Sequence, residues 1–298
     1  MELPESVMIV EVGPRDGFQN IKQWIPTDVK LEVIESLIAA NIQKIEVTSF
    51  VSPKAIPQMQ DAKDIVASLL EKKASIELNA LVPNLTGAVA AWNAGIKEIT
   101  YVISASEKHN MENVRRTIEE SFGELAKLKE SLPNMKIKLD IATAFGCPFL
   151  GDIPVEQVVK MIEQGLSLEV EEICLCDTIG VANPWQTDSL LKEVLKRYPQ
   201  VDFSLHFHDT RGMGLANVLV ALQNGMTKFE AAIGGLGGCP FAPGAAGNIA
   251  TEDLVNMLER MNVKTSIDLG KLLETAKLVK AKIMPELTGH MVNVCTVL

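Results

Sequence analysis

Along the 298 residues, short runs rich in β-branched and other apolar side chains alternate with longer segments whose apolar positions recur every three to four residues. The short runs are Val7–Val12, Ile42–Thr48, Ile76–Val82, Glu98–Ile103, Lys136–Thr143, Glu171–Asp177, Asp202–His208 and Lys228–Ile233, and each reads as a strand. Helix start signals fall between them. Asn183 before Pro184, and Asp152 shortly before Pro154, place a capping side chain ahead of a proline, as helix N-termini prefer. After the seventh run, Leu215, Val218, Leu219 and Leu222 follow the spacing of one buried helix face.

Strict alternation of strand and helix implies a parallel sheet with right-handed crossovers. Eight such units imply an α/β fold, a closed (β/α)8 TIM barrel with side chains filling its interior. An open doubly wound sheet would usually carry a glycine-rich dinucleotide turn after its first strand. Here that turn reads Gly13-Pro14-Arg15-Asp16-Gly17, which favours the barrel. Two more amphipathic helices, about Thr251–Met261 and Asp268–Met284, are expected to cover a barrel end or an oligomer interface. The organisation expected is one catalytic domain over residues 1–298, with the barrel at about 7–250 and the C-terminal helices at about 251–298.

Composition narrows the functional classes. Apolar residues make up 47%, enough for a large core, which excludes a disordered or fibrous chain. With 28 Lys and Arg against 38 Asp and Glu, the net charge of −10 argues against a nucleic-acid partner but leaves a small anionic substrate open. The five cysteines, Cys147, Cys174, Cys176, Cys239 and Cys295, are widely spaced without a CxxC pair, so neither a disulfide framework nor a zinc ribbon is expected. No leader pattern or long apolar run stands out, and a cytoplasmic protein without a membrane span is the expectation.

A barrel enzyme builds its site at the C-terminal ends of its strands. The sharpest signal there is His206-Phe207-His208, because residues two apart on a strand point to the same face. Asp16, after the first strand, neighbours them once the barrel closes, and Asn248 adds an oxygen donor from the last loop. This mixed nitrogen and oxygen set suits Mg2+ or Mn2+ and lacks the thiolates of a structural zinc site. Arg15 beside it reads as an anion-binding or enolate-stabilising guanidinium, and Glu46 as the carboxylate that orients it. Asp177 reads equally as a cap for the following turn or as an acid–base group. Cys239 follows a run in which four of five residues are glycine, which points to a reactive thiol over the barrel mouth. Cys174 and Cys176 read as packing, and His109 and His290 as structural.

Five motifs occur in order: Gly13-Pro14-Arg15-Asp16-Gly17-Phe18-Gln19-Asn20, Glu46-Val47-Thr48-Ser49-Phe50-Val51-Ser52-Pro53-Lys54, Asp177-Thr178-Ile179-Gly180, His206-Phe207-His208-Asp209-Thr210 and Gly235-Leu236-Gly237-Gly238-Cys239-Pro240. Together they resemble the 3-hydroxy-3-methylglutaryl-CoA lyase family, over about Val7 to Leu298. One departure is Arg211, where many of these lyases carry an aromatic residue. The resemblance implies cleavage of 3-hydroxy-3-methylglutaryl-CoA to acetoacetate and acetyl-CoA, in leucine degradation or ketone-body-type metabolism. It further implies a divalent cation on Asp16, His206, His208 and Asn248, proton transfer by Cys239 with Asp177 or water as alternative base, and a homodimer. For the acyl-CoA substrate, rim loops around Asn84 and Ser104–Asn110 are the expected contacts. The rivals are a Claisen-condensing relative of the homocitrate or isopropylmalate synthase kind, a hydroxy-oxo-acid aldolase, and a catalytically dead barrel. The cysteine motif weighs against the first, and the complete polar set against the last.

Overall fold

The computed structural model describes residues 3–72, 76–238 and 247–294. Among them, eight parallel strands close into a barrel in chain order: β1 (Met8–Glu11), β2 (Lys44–Ser49), β3 (Glu77–Leu81), β4 (Glu98–Ser104), β5 (Lys136–Ala142), β6 (Glu172–Asp177), β7 (Phe203–Phe207) and β8 (Lys228–Ala231). β8 returns to β1 with Met8 opposite Lys228 and Glu11 opposite Ala231. The connecting helices are α1 (Thr27–Ala39), α2 (Ala62–Glu71), α3 (Leu85–Ala94), α4 (Glu107–Val114), α5 (Ile118–Ser131), α6 (Val155–Ser167), α7 (Pro184–Arg197) and α8 (Gly214–Gln223). Then come α9 (Thr251–Arg260) and α10 (Leu269–Lys282). The expected (β/α)8 barrel and its two added helices are thus present. Each strand falls within a residue or two of its predicted run.

Local sequence explains the element starts. Asn183 caps α7 through Oδ1, which accepts from Gln186 N at 3.0 Å, with Pro184 as first helical residue. The same pattern misleads at α6. Pro154 itself occupies the cap position with φ −62° and ψ 138°, and Asp152 makes no capping bond. The fixed φ of the proline ring already suits an extended cap residue, so the turn forms without a side-chain acceptor.

Apolar side chains pack between the strands and the surrounding helices, with Ile45, Val47, Leu139, Ile141, Ile173 and Leu205 buried against helix residues such as Val33, Leu125, Ile162 and Leu191. The barrel interior is different. Lys44, Glu46, Lys138, Asp140, Glu172 and Glu230 are all buried. Glu172 lies 3.0 Å from Lys228 and accepts from Ser204 Oγ at 2.6 Å, while Lys138 pairs with Asp140 at 3.3 Å and reaches across the barrel to Glu230. Charges buried this deeply are tolerable because each has a partner of opposite sign.

The C-terminal helices brace the rim. Ser36 on α1 and Thr275 on α10 share a hydrogen bond of 2.7 Å. Beyond α10, Gly289 N donates to Gly234 O at 3.1 Å and Thr288 Oγ1 to Gly235 O at 3.1 Å, so the tail lies against the glycine turn that follows β8.

Candidate active site

The chain after β1 makes a π-helical turn, Gly13–Gly17, that brings Arg15 and Asp16 to the barrel mouth. Such turns insert one extra residue per hydrogen bond and recur at functional sites. Arg15 is buried; Nε donates to Glu46 Oε2 at 2.5 Å and Nη1 to Asp16 Oδ1 at 2.7 Å. Among the described residues Nη2 has no protein acceptor. Two flanking carboxylates overcome the effect of burial and hold Arg15 firmly protonated. The structure thus brings Glu46 into contact with the Arg15 guanidinium.

Asp16 is the hub. Its Oδ1 also accepts from Gln19 Nε2 at 2.8 Å, and its Oδ2 from Asn248 Nδ2 at 2.6 Å. Burial alone would raise its pKa, but Arg15, His206 and His208 together with the Asn248 amide pull it below the ordinary value. β7 places the two imidazoles side by side, with ring centroids 5.0 Å apart. One ligand atom from each of Asp16, His206 and His208 lies within 4.8 Å of the others. Asn248 arrives from the far side: His208 and Asn248 pair as an antiparallel bridge, and Asp209 N donates to Gly247 O at 2.8 Å.

Two buried atoms test whether this set fits a cation. The Oδ1 of Asn248 and the Nδ1 of His208 have no hydrogen-bond partner among the described residues, although both side chains are enclosed. Asn248 spends its Nδ2 on Asp16 and on Leu236 O, which leaves Oδ1 as an acceptor without a donor. Unpartnered buried acceptors beside a carboxylate are what a cation site supplies when its ligands are in place. Burial and the neighbouring His206 push His208 down to about 3, so its ring is neutral and able to ligate.

Asp177 ends β6 and caps the turn that follows it. Its Oδ1 accepts from Val181 N at 2.8 Å and its Oδ2 from Ala182 N at 3.1 Å, while burial lifts its pKa to about 6. Arg211 Nη1 donates to Ile179 O and Gly180 O at 2.9 Å each, pinning the same loop.

The two rim expectations differ in outcome. Asn84 caps α3 through Oδ1 and lines a cavity of about 390 Å3 with Ser49, Lys63 and Gly87, beside the ends of β2 and β3. Ser104 is enclosed: its hydroxyl meets Thr143 Oγ1 at 2.8 Å and His109 Nδ1 at 3.1 Å, and it accepts from Ser106 N. Ser104 therefore shapes the rim and has no face open to a substrate. Cys239 and Cys295 lie outside the described residues.

Residues that the hydrophobic pattern did not single out complete the cluster. Glu230 Oε2 lies 2.8 Å from His206 Nδ1 and is itself paired with Lys138. Below them Asp140, Cys174 and Cys176 form a second buried group, with Cys176 Sγ 3.8 Å from Cys174 Sγ. Burial raises Cys174 to about 11, and the contact with Cys174 together with burial holds Cys176 well above the ordinary thiol value, so both thiols pack as neutral groups.

The HMGL-like family model matches residues 6–279. The chain is 44% identical over 296 residues to "Hydroxymethylglutaryl-CoA lyase YngG" of Bacillus subtilis, covering 99% of both chains. A crystal structure of the HMG-CoA lyase from B. subtilis superposes with a TM-score of 0.94 at 43% identity, over 98% of each chain. An HMG-CoA lyase from Acinetobacter baumannii, solved in complex with coenzyme A and 3-methylmalate, matches with a TM-score of 0.90 at 41% identity, over 99% of this chain and 98% of that one. Fold, rim chemistry and full-length similarity agree, and the chain belongs to the hydroxymethylglutaryl-CoA lyase family.

Proposed function

We propose that this protein cleaves 3-hydroxy-3-methylglutaryl-CoA to acetoacetate and acetyl-CoA with a bound divalent cation, Mg2+ or Mn2+. The observation that carries the reading is the convergence of Asp16, His206, His208 and Asn248 beside the Arg15–Glu46 pair. When bound there, the ion would hold oxygens of the substrate and draw electron density from them.

The reaction needs the C3 hydroxyl to lose a proton, the C2–C3 bond to break and its electron pair to pass into a thioester enolate. The enolate then takes up a proton and becomes acetyl-CoA, while C3 becomes the ketone of acetoacetate. Arg15 would stabilise the enolate oxygen through Nη2, its other two donors being fixed by Glu46 and Asp16. Asp177, or a water, would take the hydroxyl proton, and Cys239 would protonate the enolate. Asn84 and its cavity are offered as contacts for the coenzyme A arm. The working form in this reading is a cytoplasmic homodimer acting in leucine degradation, with the C-terminal helices available to an interface.

Product analysis tests this. Incubated with 3-hydroxy-3-methylglutaryl-CoA and Mg2+, the wild type should release acetoacetate and acetyl-CoA in equal amounts, and Cys239→Ala should release them far more slowly. An enzyme inert in that assay that instead condenses acetyl-CoA with a 2-oxo acid would be the condensing relative.

A further inference from the structure

The two histidines of the site are not equivalent. His208 Nδ1 has no partner among the described residues, whereas His206 Nδ1 lies 2.8 Å from Glu230 Oε2. Glu230 stands in register opposite His206, β8 beside β7, and is buried. Its other oxygen pairs with Lys138, which comes from β5 on the opposite side of the barrel and also lies 3.3 Å from Asp140. A chain of contacts thus runs from the barrel floor to the rim, Lys138 to Glu230 to His206.

We propose that Glu230, anchored by Lys138, is a positioning residue that fixes the tautomer and orientation of His206 for the divalent cation. The inference rests on the cation reading above. A neutral imidazole carries one N–H, and the nitrogen that keeps it is chosen by the acceptor it meets. With Glu230 accepting from Nδ1, the lone pair is left on Nε2, the ring atom directed away from the carboxylate. Carboxylates that hold metal-ligating histidines in this way also make the ring a stronger donor, and their loss typically weakens metal binding about 10- to 100-fold. Lys138 supplies the second half of the device. It occupies the other carboxylate oxygen and keeps Glu230 from turning away from the histidine.

Mn2+ affinity, read by electron paramagnetic resonance on the chelator-stripped full-length protein, tests the proposal without recourse to turnover. Glu230→Gln keeps a neutral acceptor and should weaken Mn2+ binding about tenfold. The double variant Lys138→Met, Glu230→Leu removes both members of that ion pair together, and Asp140, which loses its neighbouring cation, can stay neutral because burial then favours its protonated form. It should melt near the wild-type temperature yet bind Mn2+ more weakly than Glu230→Gln. If the double variant binds Mn2+ as tightly as wild type, Glu230 is only a counter-ion for Lys138 and the proposal is wrong. If the wild type itself binds no Mn2+, the cation reading fails and takes this inference with it.

Discussion

Gly237 lies at φ +113°, and a Cβ there would come within 2.4 Å of Asn248 Nδ2 and 3.1 Å of Asp16 Oδ2. The glycine is therefore required twice, by its backbone angle and by the closeness of two site residues. Gly237→Ala should displace the Asn248 amide and reduce cleavage at least tenfold, with a backbone strain of about 1–3 kcal/mol appearing as a lower melting temperature. Arg15 permits a sharper test. Arg15→Lys keeps a positive charge between Glu46 and Asp16 but replaces a planar fork by a point donor. Its kcat should fall about 100-fold, with a smaller change in KM, if the guanidinium acts on the developing enolate. At this scale the sequence was readable where chemistry and position coincide: a His-x-His at a strand end and an acidic residue after the first strand. Glu230, Lys138 and Gln19 were not readable. A charged residue in a strand normally marks a solvent-facing position, and only the closed barrel reveals that Glu230 and Lys138 face inward, while Gln19 lies in the turn after β1, which has no periodic signature.

Elements were read from periodicity, and there the eight strands and both C-terminal helices emerged with nearly correct bounds. Caps were read less evenly, because a polar residue before a proline is a signal only if its side chain reaches a backbone N–H. The pair Asn183 and Asp152 separates the cases. Asn183→Ala should destabilise the protein by about 1 kcal/mol in urea unfolding, through the lost bond to Gln186 N, without altering turnover. Asp152→Ala removes no cap and should stay within about 0.5 kcal/mol of wild type. The π-helical turn at Gly13–Gly17 has no periodic signature, since it is a local detour imposed by the Arg15 and Asp16 contacts and by Gly13 N donating to Glu11 Oε1 at 2.7 Å.

Across the whole molecule, two buried carboxyls tie the barrel, the glycine turn and the C-terminal helices together. Glu11 on β1 accepts from Ile233 N at 2.9 Å and from Thr251 Oγ1 at 2.6 Å, and Glu252 on α9 accepts from Gly234 N at 2.9 Å. Burial raises Glu11 to about 7 and Glu252 to about 8. Between pH 4.5, the ordinary glutamate value, and about 8, the folded protein therefore holds protons that the unfolded chain has released. The stability that these two groups contribute is greatest below that window and declines as pH rises through it, by at most about 1.4 kcal/mol per pH unit for each group. The melting temperature should fall between pH 5 and pH 9, and Glu252→Gln should flatten the decline. A profile that rises over that range, or one unchanged by the substitution, would count against this reading.

The central claim is that one divalent cation at the barrel mouth runs the lyase reaction. The most direct measurement is a titration of Mn2+ into chelator-stripped protein while acetyl-CoA release from 3-hydroxy-3-methylglutaryl-CoA is followed. Activity should be absent at the start, rise with occupancy and level off at one ion per chain, and Asp16→Asn should stay inactive throughout. Full activity in the stripped protein, or an Asp16→Asn variant that responds like wild type, would contradict it.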